Sequence, residues 1–215
     1  DGVEGFVTLA ERLGMRFERA EDYPDYYPEL QGGKIGRILE VEPFDVRAIG
    51  SWWASSRGQD GVPLPAKTDD FWLLSRAWST PGGMVRGARV VGRTLGSAAR
   101  GRRAVGMGAA LVSSFLVVAL RKGVSLWLSS PVEELVVENG RVVGVETTRD
   151  GRRQRIAATR GVVLGGGGFD HNRELREQLQ GVDGSASSGS KGNTGSAIAV
   201  AQRIGAAVDL MDDAW

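Results

Sequence analysis

A run of glycines that follows a β-branched stretch constrains the fold of this chain more than any other feature. Four glycines occupy residues 165–168, directly after Val162, Val163 and Leu164. Branched residues favour a buried strand, and glycine, which lacks Cβ, lets a bulky partner approach the backbone N–H groups. The pattern predicts a strand over residues 160–164 that ends either in an ordinary tight turn or in a turn that contacts a cofactor.

Composition excludes several classes of function. The formal net charge is +1, from 27 basic and 26 acidic residues, so no overall field attracts nucleic acid and we expect no nucleic-acid partner. The chain has no cysteine and one histidine, His171, which excludes disulfides, thiolate metal sites and multi-histidine metal cages. We therefore expect no metal site. The absence of cysteine and of a visible secretory signal favours a cytoplasmic location.

The second half of the chain carries the clearest local pattern. Two alternating runs, 132–138 and 141–148, are separated by Asn139 and Gly140, which predicts a hairpin. A third strand is expected near 154–158, giving a three-stranded β-meander. An apolar helix (104–120) and a short strand (123–128) are expected before it, and two helices after the glycine run, beginning at residues 173 and 196.

The first half is expected to be a helical, loop-rich covering region. Residues 23–33 contain three tyrosines, two prolines and paired glycines, which excludes regular structure. This segment, here called the Tyr loop, is either a surface loop fixed by aromatic packing or the lining of a site for a lipophilic, carbonyl-bearing ligand.

A basic stretch follows. Six arginines and no acidic residue lie between residues 83 and 103, and Arg86, Arg89 and Arg93 recur at helical spacing. Such a face is either solvated or in contact with a partner protein or a membrane surface. The stretch from Arg86 to Arg103 thus indicates peripheral membrane association as one possibility.

Five segments taken together resemble the FAD-dependent 3-ketosteroid Δ1-dehydrogenases of the fumarate reductase and succinate dehydrogenase flavoprotein superfamily. The resemblance covers nearly the whole chain in order, and it implies FAD as cofactor and a steroid-like substrate. It also implies an α/β fold in which residues 105–215 are part of a Rossmann-like FAD-binding domain and residues 1–104 form the covering region. The segments that carry it are 23–34, 131–145, 161–172, 192–195 and 205–215.

The resemblance also assigns roles to particular residues. It implies that the backbone of Val132 contacts the adenine and that the glycine run lies along the cofactor. It also implies that the turn at residues 193–195 faces the flavin. In family enzymes the flavin takes a hydride from C1 of the steroid while a tyrosinate removes the C2 proton, and Tyr26 matches a tyrosine thought to assist that base. A phenol suits this role because it both donates and accepts hydrogen bonds. In addition to Val132, the implied cofactor-binding residues are Gly165, Gly166, Gly167, Asn193, Thr194, Gly195 and Ser196.

The chain departs from the family pattern at two places. Ser196 and Ala197 stand where the family has Asp-Gly, and Gly165 and Gly166 stand where alanines are common. The pyrophosphate-binding turn, the principal base tyrosine and the segment that polarises the ketone have no counterpart here. The sequence thus predicts an internal fragment that is inactive alone. Two alternatives remain: a fumarate-reductase-like flavoprotein acting on a small dicarboxylate, and a non-catalytic binding module.

Overall fold

The structure, a computed structural model, describes residues 2–21, 23–56, 64–76, 78–183 and 187–213. It divides into two compact units, Asp1–Ser125 and Leu126–Trp215. The predicted division into a covering region, residues 1–104, and a partial FAD-binding domain, residues 105–215, stays a prediction.

The described residues of the first unit form four α-helices and two small antiparallel sheets. Strand β1 pairs with β2, and β3 pairs with β4. A 3₁₀ segment, Val46–Ser55, follows β3. The elements are α1 (Gly2–Arg12), β1 (Phe17–Ala20), β2 (Ile38–Val41), β3 (Phe44–Asp45), α2 (Thr68–Leu74), α3 (Pro81–Ala99), β4 (Ala104–Val105) and α4 (Met107–Arg121).

The core of the first unit lies between α1, α4, the small sheets and the 3₁₀ segment. Helix α1 ends where Gly14 takes a φ of +90°, a conformation that favours glycine. The Met15 N–H then donates to the Ala10 carbonyl at 3.0 Å, which turns the chain back into the core. The buried members of the core are Ala10, Met15, Val41, Val46, Ile49, Val105, Ala110 and Val117.

Helices α2 and α3 are joined by a buried carboxylate. Asp70 of α2 is fully buried, and it pairs with Arg93 and, at 3.5 Å, with Arg86, both on α3. Helix α3 itself is capped by Thr80, whose hydroxyl accepts from the Gly83 N–H at 3.1 Å. Helix α3 thus confirms the predicted helical spacing of Arg86, Arg89 and Arg93, whereas the last three arginines of the basic stretch follow the helix. Arg86 and Arg93 contact an acid within the protein. Membrane association of this stretch stays a prediction.

The second unit is built on a three-stranded antiparallel sheet, β5-β6-β7. The predicted meander is present, and both hairpin turns place their two central residues at positive φ. This conformation is the one that Asn-Gly and Asp-Gly pairs tolerate. Helix α6 packs on β5. The elements are β5 (Val132–Glu138), β6 (Arg141–Arg149), β7 (Arg152–Ala157), α5 (Arg173–Gln180) and α6 (Ser196–Gln202).

Two predicted strands are wrong. Residues 160–164 and 123–128 contain no strand, because neither segment pairs with another strand of the described residues and a strand needs interstrand hydrogen bonds. The described sheets are all small and antiparallel. The α/β class therefore holds, whereas the Rossmann-like character of the FAD-binding domain stays a prediction.

No helix within the described ranges is long and apolar enough to cross a membrane.

Candidate functional site

The structure brings the glycine run against the turn that precedes helix α6. The Gly195 N–H donates to the Gly168 carbonyl at 2.9 Å. A Cβ added at Gly166 would lie 2.5 Å from the Cβ of Ala197, and one added at Gly167 would clash with Oδ1 of Asn193. Glycine is therefore required at these two positions by close packing, and at Gly167 also by a φ of +73°. Two segments that the resemblance assigned to FAD thus contact each other.

The start of helix α5 holds this turn in place. Asn172 caps α5, which begins at residue 173 as predicted: its side-chain oxygen accepts from the Leu175 N–H at 3.1 Å. Its amide nitrogen also donates to the Thr194 carbonyl at 3.0 Å, and the His171 N–H donates to the Asn193 carbonyl at 2.9 Å. One capping residue therefore fixes both the helix and the turn.

Asp170 adds a charge to the same region. Hydrogen bonds from the Ser187 hydroxyl and then from the Asn193 side chain lower the pKa of the Asp170 carboxyl. His171, beside it, lies with Nε2 2.9 Å from the Gly189 carbonyl. The histidine is therefore engaged locally, and the carboxylate orients Asn193.

Val132 begins strand β5 at an irregular point. The register of β5 on β6 shifts between Val132 and Glu134, which marks a bulge. The Thr147 hydroxyl, buried in β6, donates to the Pro131 carbonyl at 2.7 Å. Arg203, at the end of α6, donates to the Glu133 carbonyl. The backbone on both sides of Val132 is thereby fixed.

The residues present fit a dinucleotide that binds through backbone groups. The N–H groups of residues 161–168 donate no hydrogen bond to any described residue, and Val163 is 95% exposed. Exposed donors on a segment that carries little side-chain bulk can approach a phosphate or a flat ring closely. The side chains of Thr194 and Ser196, in the contacting turn, are also exposed.

Tyr26 lies in the first unit, on the Tyr loop. The loop is closed at its base by two backbone hydrogen bonds, from Asp25 N–H to the Lys34 carbonyl (2.9 Å) and from Gly36 N–H to the Tyr23 carbonyl (2.8 Å). Arg37 donates from Nε to the Asp25 carboxylate at 2.9 Å and pairs with it through a second nitrogen. The loop therefore has a defined shape.

Asp25 and Thr147 are positioning residues that sequence reasoning missed. Arg37 lies 12 positions beyond Asp25, and no local sequence pattern predicts a contact at that separation. Thr147 could have been found, because it is a polar residue at an inward-facing position of an alternating strand, where a hydroxyl requires a partner.

Comparison with known proteins supplies the family. The FAD binding domain family matches residues 2–215. Similar proteins include the 3-oxosteroid 1-dehydrogenases of Mycobacterium tuberculosis, 38% identical over 100% of this chain and 43% of the relative, and of Mycolicibacterium smegmatis, 35% identical over 90% and 36%.

A solved structure is also similar. The 3-ketosteroid Δ1-dehydrogenase of Sterolibacterium denitrificans, in complex with 1,4-androstadiene-3,17-dione, matches with a TM-score of 0.82 and 32% identity over 97% of this chain and 41% of that one. The chain thus spans less than half the length of these relatives. The predicted resemblance and FAD as cofactor are confirmed, and the chain belongs to the FAD binding domain family.

Proposed function

We propose that the protein works as an FAD-dependent dehydrogenase that oxidises the C1–C2 bond of a 3-ketosteroid or a similarly flat hydrophobic ketone. The observation that carries this proposal is the Tyr loop, which is closed by backbone hydrogen bonds and exposes apolar side chains on its surface. The similarity to steroid dehydrogenases that cover the whole chain supports the same substrate class.

The Tyr loop has the surface that an apolar ring system needs. Tyr26 is 72% exposed and Tyr27 62% exposed, and Leu30 in the loop and Ile35 just beyond it are also mostly exposed. Adjoining exposed apolar groups on a loop of fixed shape are typical of a ligand contact. Arg37 is paired with Asp25, so this guanidinium is not offered to a dicarboxylate. The loop therefore favours a ketosteroid over a fumarate-like substrate.

The chemistry removes one hydride and one proton. The ketone makes the C2 proton acidic, and loss of that proton with the C1 hydride leaves a C1–C2 double bond conjugated with the carbonyl. When bound, FAD supplies the two-electron oxidation by accepting the hydride. The phenol of Tyr26 is proposed to hydrogen-bond to the base that takes the proton.

The second unit is proposed to hold the cofactor. Val132 would meet the adenine through its backbone, while Gly165, Gly166 and Gly167 would lie along the cofactor. The packing of the glycine run on the turn supports this assignment, because it brings the two implied cofactor segments together. The N–H groups of residues 161–168 also donate to no described residue. Asn193, Thr194, Gly195 and Ser196 would face the flavin side.

The test is a flavin titration of this chain beside a protein extended to the complete reading frame. The extended protein, loaded with FAD, is then mixed anaerobically with androst-4-ene-3,17-dione, and flavin absorbance is followed. We expect bleaching by the steroid. Flavin binding without bleaching, together with reoxidation of the reduced flavin by fumarate, would replace the proposal by the dicarboxylate alternative. Failure of both proteins to bind flavin would leave a non-catalytic module.

A further inference from the structure

We propose that a cavity at the C-terminal end of helix α3 binds a phosphate group. The cavity has a volume of about 330 Å³ and is lined by three arginines, Arg93, Arg100 and Arg102, and by one acid, Asp45. Its remaining lining comes from small residues and prolines, including Gly92 and Gly96. The cavity lies in the first unit, whereas every cofactor residue implied by the resemblance lies in the second.

The backbone around the cavity is fixed in advance. Gly101 follows α3 with a φ of +64°, its N–H donates to Ala98, and the Arg102 N–H donates to Ser97, both at 2.8 Å. This pair of hydrogen bonds is the Schellman arrangement that ends helices. The Arg103 N–H then donates to Asp45 at 3.1 Å. Arg100 and Arg102 are thus held on a short segment that is anchored at both ends.

The arginines keep donors for a ligand. Arg100 donates from Nη1 to the Gly96 carbonyl at 2.8 Å, which leaves the other nitrogens of its guanidinium for other acceptors. A Cβ at Gly96 would lie 3.1 Å from that Nη1, so the glycine makes room for the guanidinium. Arg93 pairs with Asp70 through Nη2, but its buried Nε has no hydrogen-bond partner.

The local charge balance favours an anion. Asp45 is already engaged, because it pairs with Arg47 at 2.6 Å and accepts N–H donors from Arg47 and Arg103. The hydrogen bond from Arg47 accordingly lowers the pKa of Asp45. Asp70 balances Arg93. No described acid is paired with the side chains of Arg100 or Arg102.

A phosphate matches this arrangement better than a carboxylate does. A single guanidinium satisfies a planar carboxylate with two parallel hydrogen bonds, whereas several guanidinium groups around one cavity suit the tetrahedral oxygens of a phosphate. Stabilisation of the helix dipole accounts for a cation at Arg100, the C-cap residue directly after α3. It does not account for Arg93, almost two turns earlier, or for Arg102, beyond the helix end.

The test measures phosphate binding by the protein extended to its complete reading frame. The wild type is compared with the variants Arg102→Gln and Arg100→Gln, each of which replaces an exposed arginine. Inorganic phosphate is titrated calorimetrically at low salt, with acetate as the carboxylate probe. We expect saturable binding of phosphate, weaker binding of acetate, and a loss of phosphate affinity of about tenfold in each variant. Arg152→Gln, an exposed arginine of β7, is the charge-matched control and should bind like wild type.

Vesicles distinguish the source of the phosphate. Phosphatidylglycerol vesicles and phosphatidylcholine vesicles are mixed with the same four proteins and sedimented. Binding to phosphatidylglycerol that is lost in Arg102→Gln assigns the cavity to a lipid headgroup, and binding of inorganic phosphate alone assigns it to a soluble phosphate. Equal weakening in Arg102→Gln and Arg152→Gln, or no saturable binding of either probe, overturns the proposal. Steroid oxidation by the same proteins is measured separately, since Arg100 and Arg102 would bind this anion whichever ketone the enzyme oxidises.

Discussion

Gly166 and Ala197 share a space that accommodates one methyl group. A Cβ at Gly166 would lie 2.5 Å from the Cβ of Ala197, well inside the van der Waals contact of two carbons. The family pattern that the resemblance implies commonly has alanine where this chain has Gly166, and glycine where this chain has Ala197. We therefore expect the two departures from the family pattern to compensate each other, with one methyl group on helix α6 in place of one on the glycine run.

Exchange of this methyl group gives the first prediction. Gly166→Ala places a second methyl in the space, so we expect a loss of about 1–3 kcal/mol in the free energy of unfolding and weaker FAD binding. The double variant Gly166→Ala/Ala197→Gly should recover most of both. Thermal unfolding and flavin titration measure the cycle. Gly165→Ala, where a Cβ meets nothing within 4 Å, should change the melting temperature little. Additive effects of the two substitutions would refute the compensation.

Thr147 gives a second prediction. Thr147→Val keeps the shape of the side chain but removes the hydrogen bond to the Pro131 carbonyl, which costs about 1 kcal/mol. The loosened start of β5 should weaken FAD binding several-fold, as measured by flavin fluorescence. Thr148→Val, on the opposite face of β6, is the matched control. Unchanged affinity in Thr147→Val would mean that Val132 does not depend on this anchor.

Asp70 gives a third. Asp70→Asn leaves Arg86 and Arg93 without their counter-charge. Loss of one partner of a buried pair costs about 3–5 kcal/mol, and the lower end applies here because the arginine side chains keep 22% and 31% exposure to water. Chemical denaturation should show the loss. Asp150→Asn, whose carboxylate is 89% exposed, should be nearly neutral, and equal losses in the two variants would contradict the role of burial.

The Tyr loop has a pH dependence of known sign. The hydrogen bond from Arg37 lowers the pKa of Asp25 below its ordinary value of about 3.9. A carboxyl whose pKa is lower in the folded state stabilises that state at pH values above its pKa in the unfolded chain. This contribution is lost as the pH falls through the pKa of the folded state. Arg37→Gln should therefore raise the pKa of Asp25 and open the loop at a higher pH.

Carbon-13 NMR titration of the Asp25 carboxyl measures this shift, and the Tyr26 ring signals report opening of the loop. Arg19→Gln, which removes an exposed ion pair between Arg19 of β1 and Glu21, directly after that strand, is the control. An Asp25 midpoint that does not move in Arg37→Gln would show that the ion pair does not hold the loop in solution.

Tyr26 itself gives the fifth prediction. In the protein extended to its complete reading frame, Tyr26→Phe removes the hydroxyl and keeps the ring. We expect kcat for steroid oxidation to fall about 100-fold, at the lower end of what acid–base groups contribute, with flavin affinity unchanged. Tyr27→Phe should keep most of the activity. Equal rates for both variants and wild type would remove Tyr26 from the mechanism.

Local features of this fold were predictable from the sequence. Asn139 with Gly140 and Asp150 with Gly151 define their turns because each pair tolerates positive φ, and Asn172 caps α5 through a side chain three residues away. The meander and the start of α5 follow from such short-range rules.

Long-range features were not predictable in this way. The strand expected over residues 160–164 fails because pairing depends on a neighbour that no local pattern specifies. The contact of Asp70 with Arg86 and Arg93 joins residues 16 and 23 positions apart. The contact between the glycine run and the turn at Asn193 was not predictable for the same reason, although the sequence indicates each segment separately.

The hydrogen bond from Arg203 to the Glu133 carbonyl joins the C-terminal end of helix α6 to the bulge at the start of β5. The helix begins beside Gly195, in the turn that packs on the glycine run, and its far end holds the start of β5. Seven helical residues, Ser196–Gln202, give a rod of about 10 Å at 1.5 Å per residue. Helix α6 therefore connects the two segments that we propose to contact the dinucleotide.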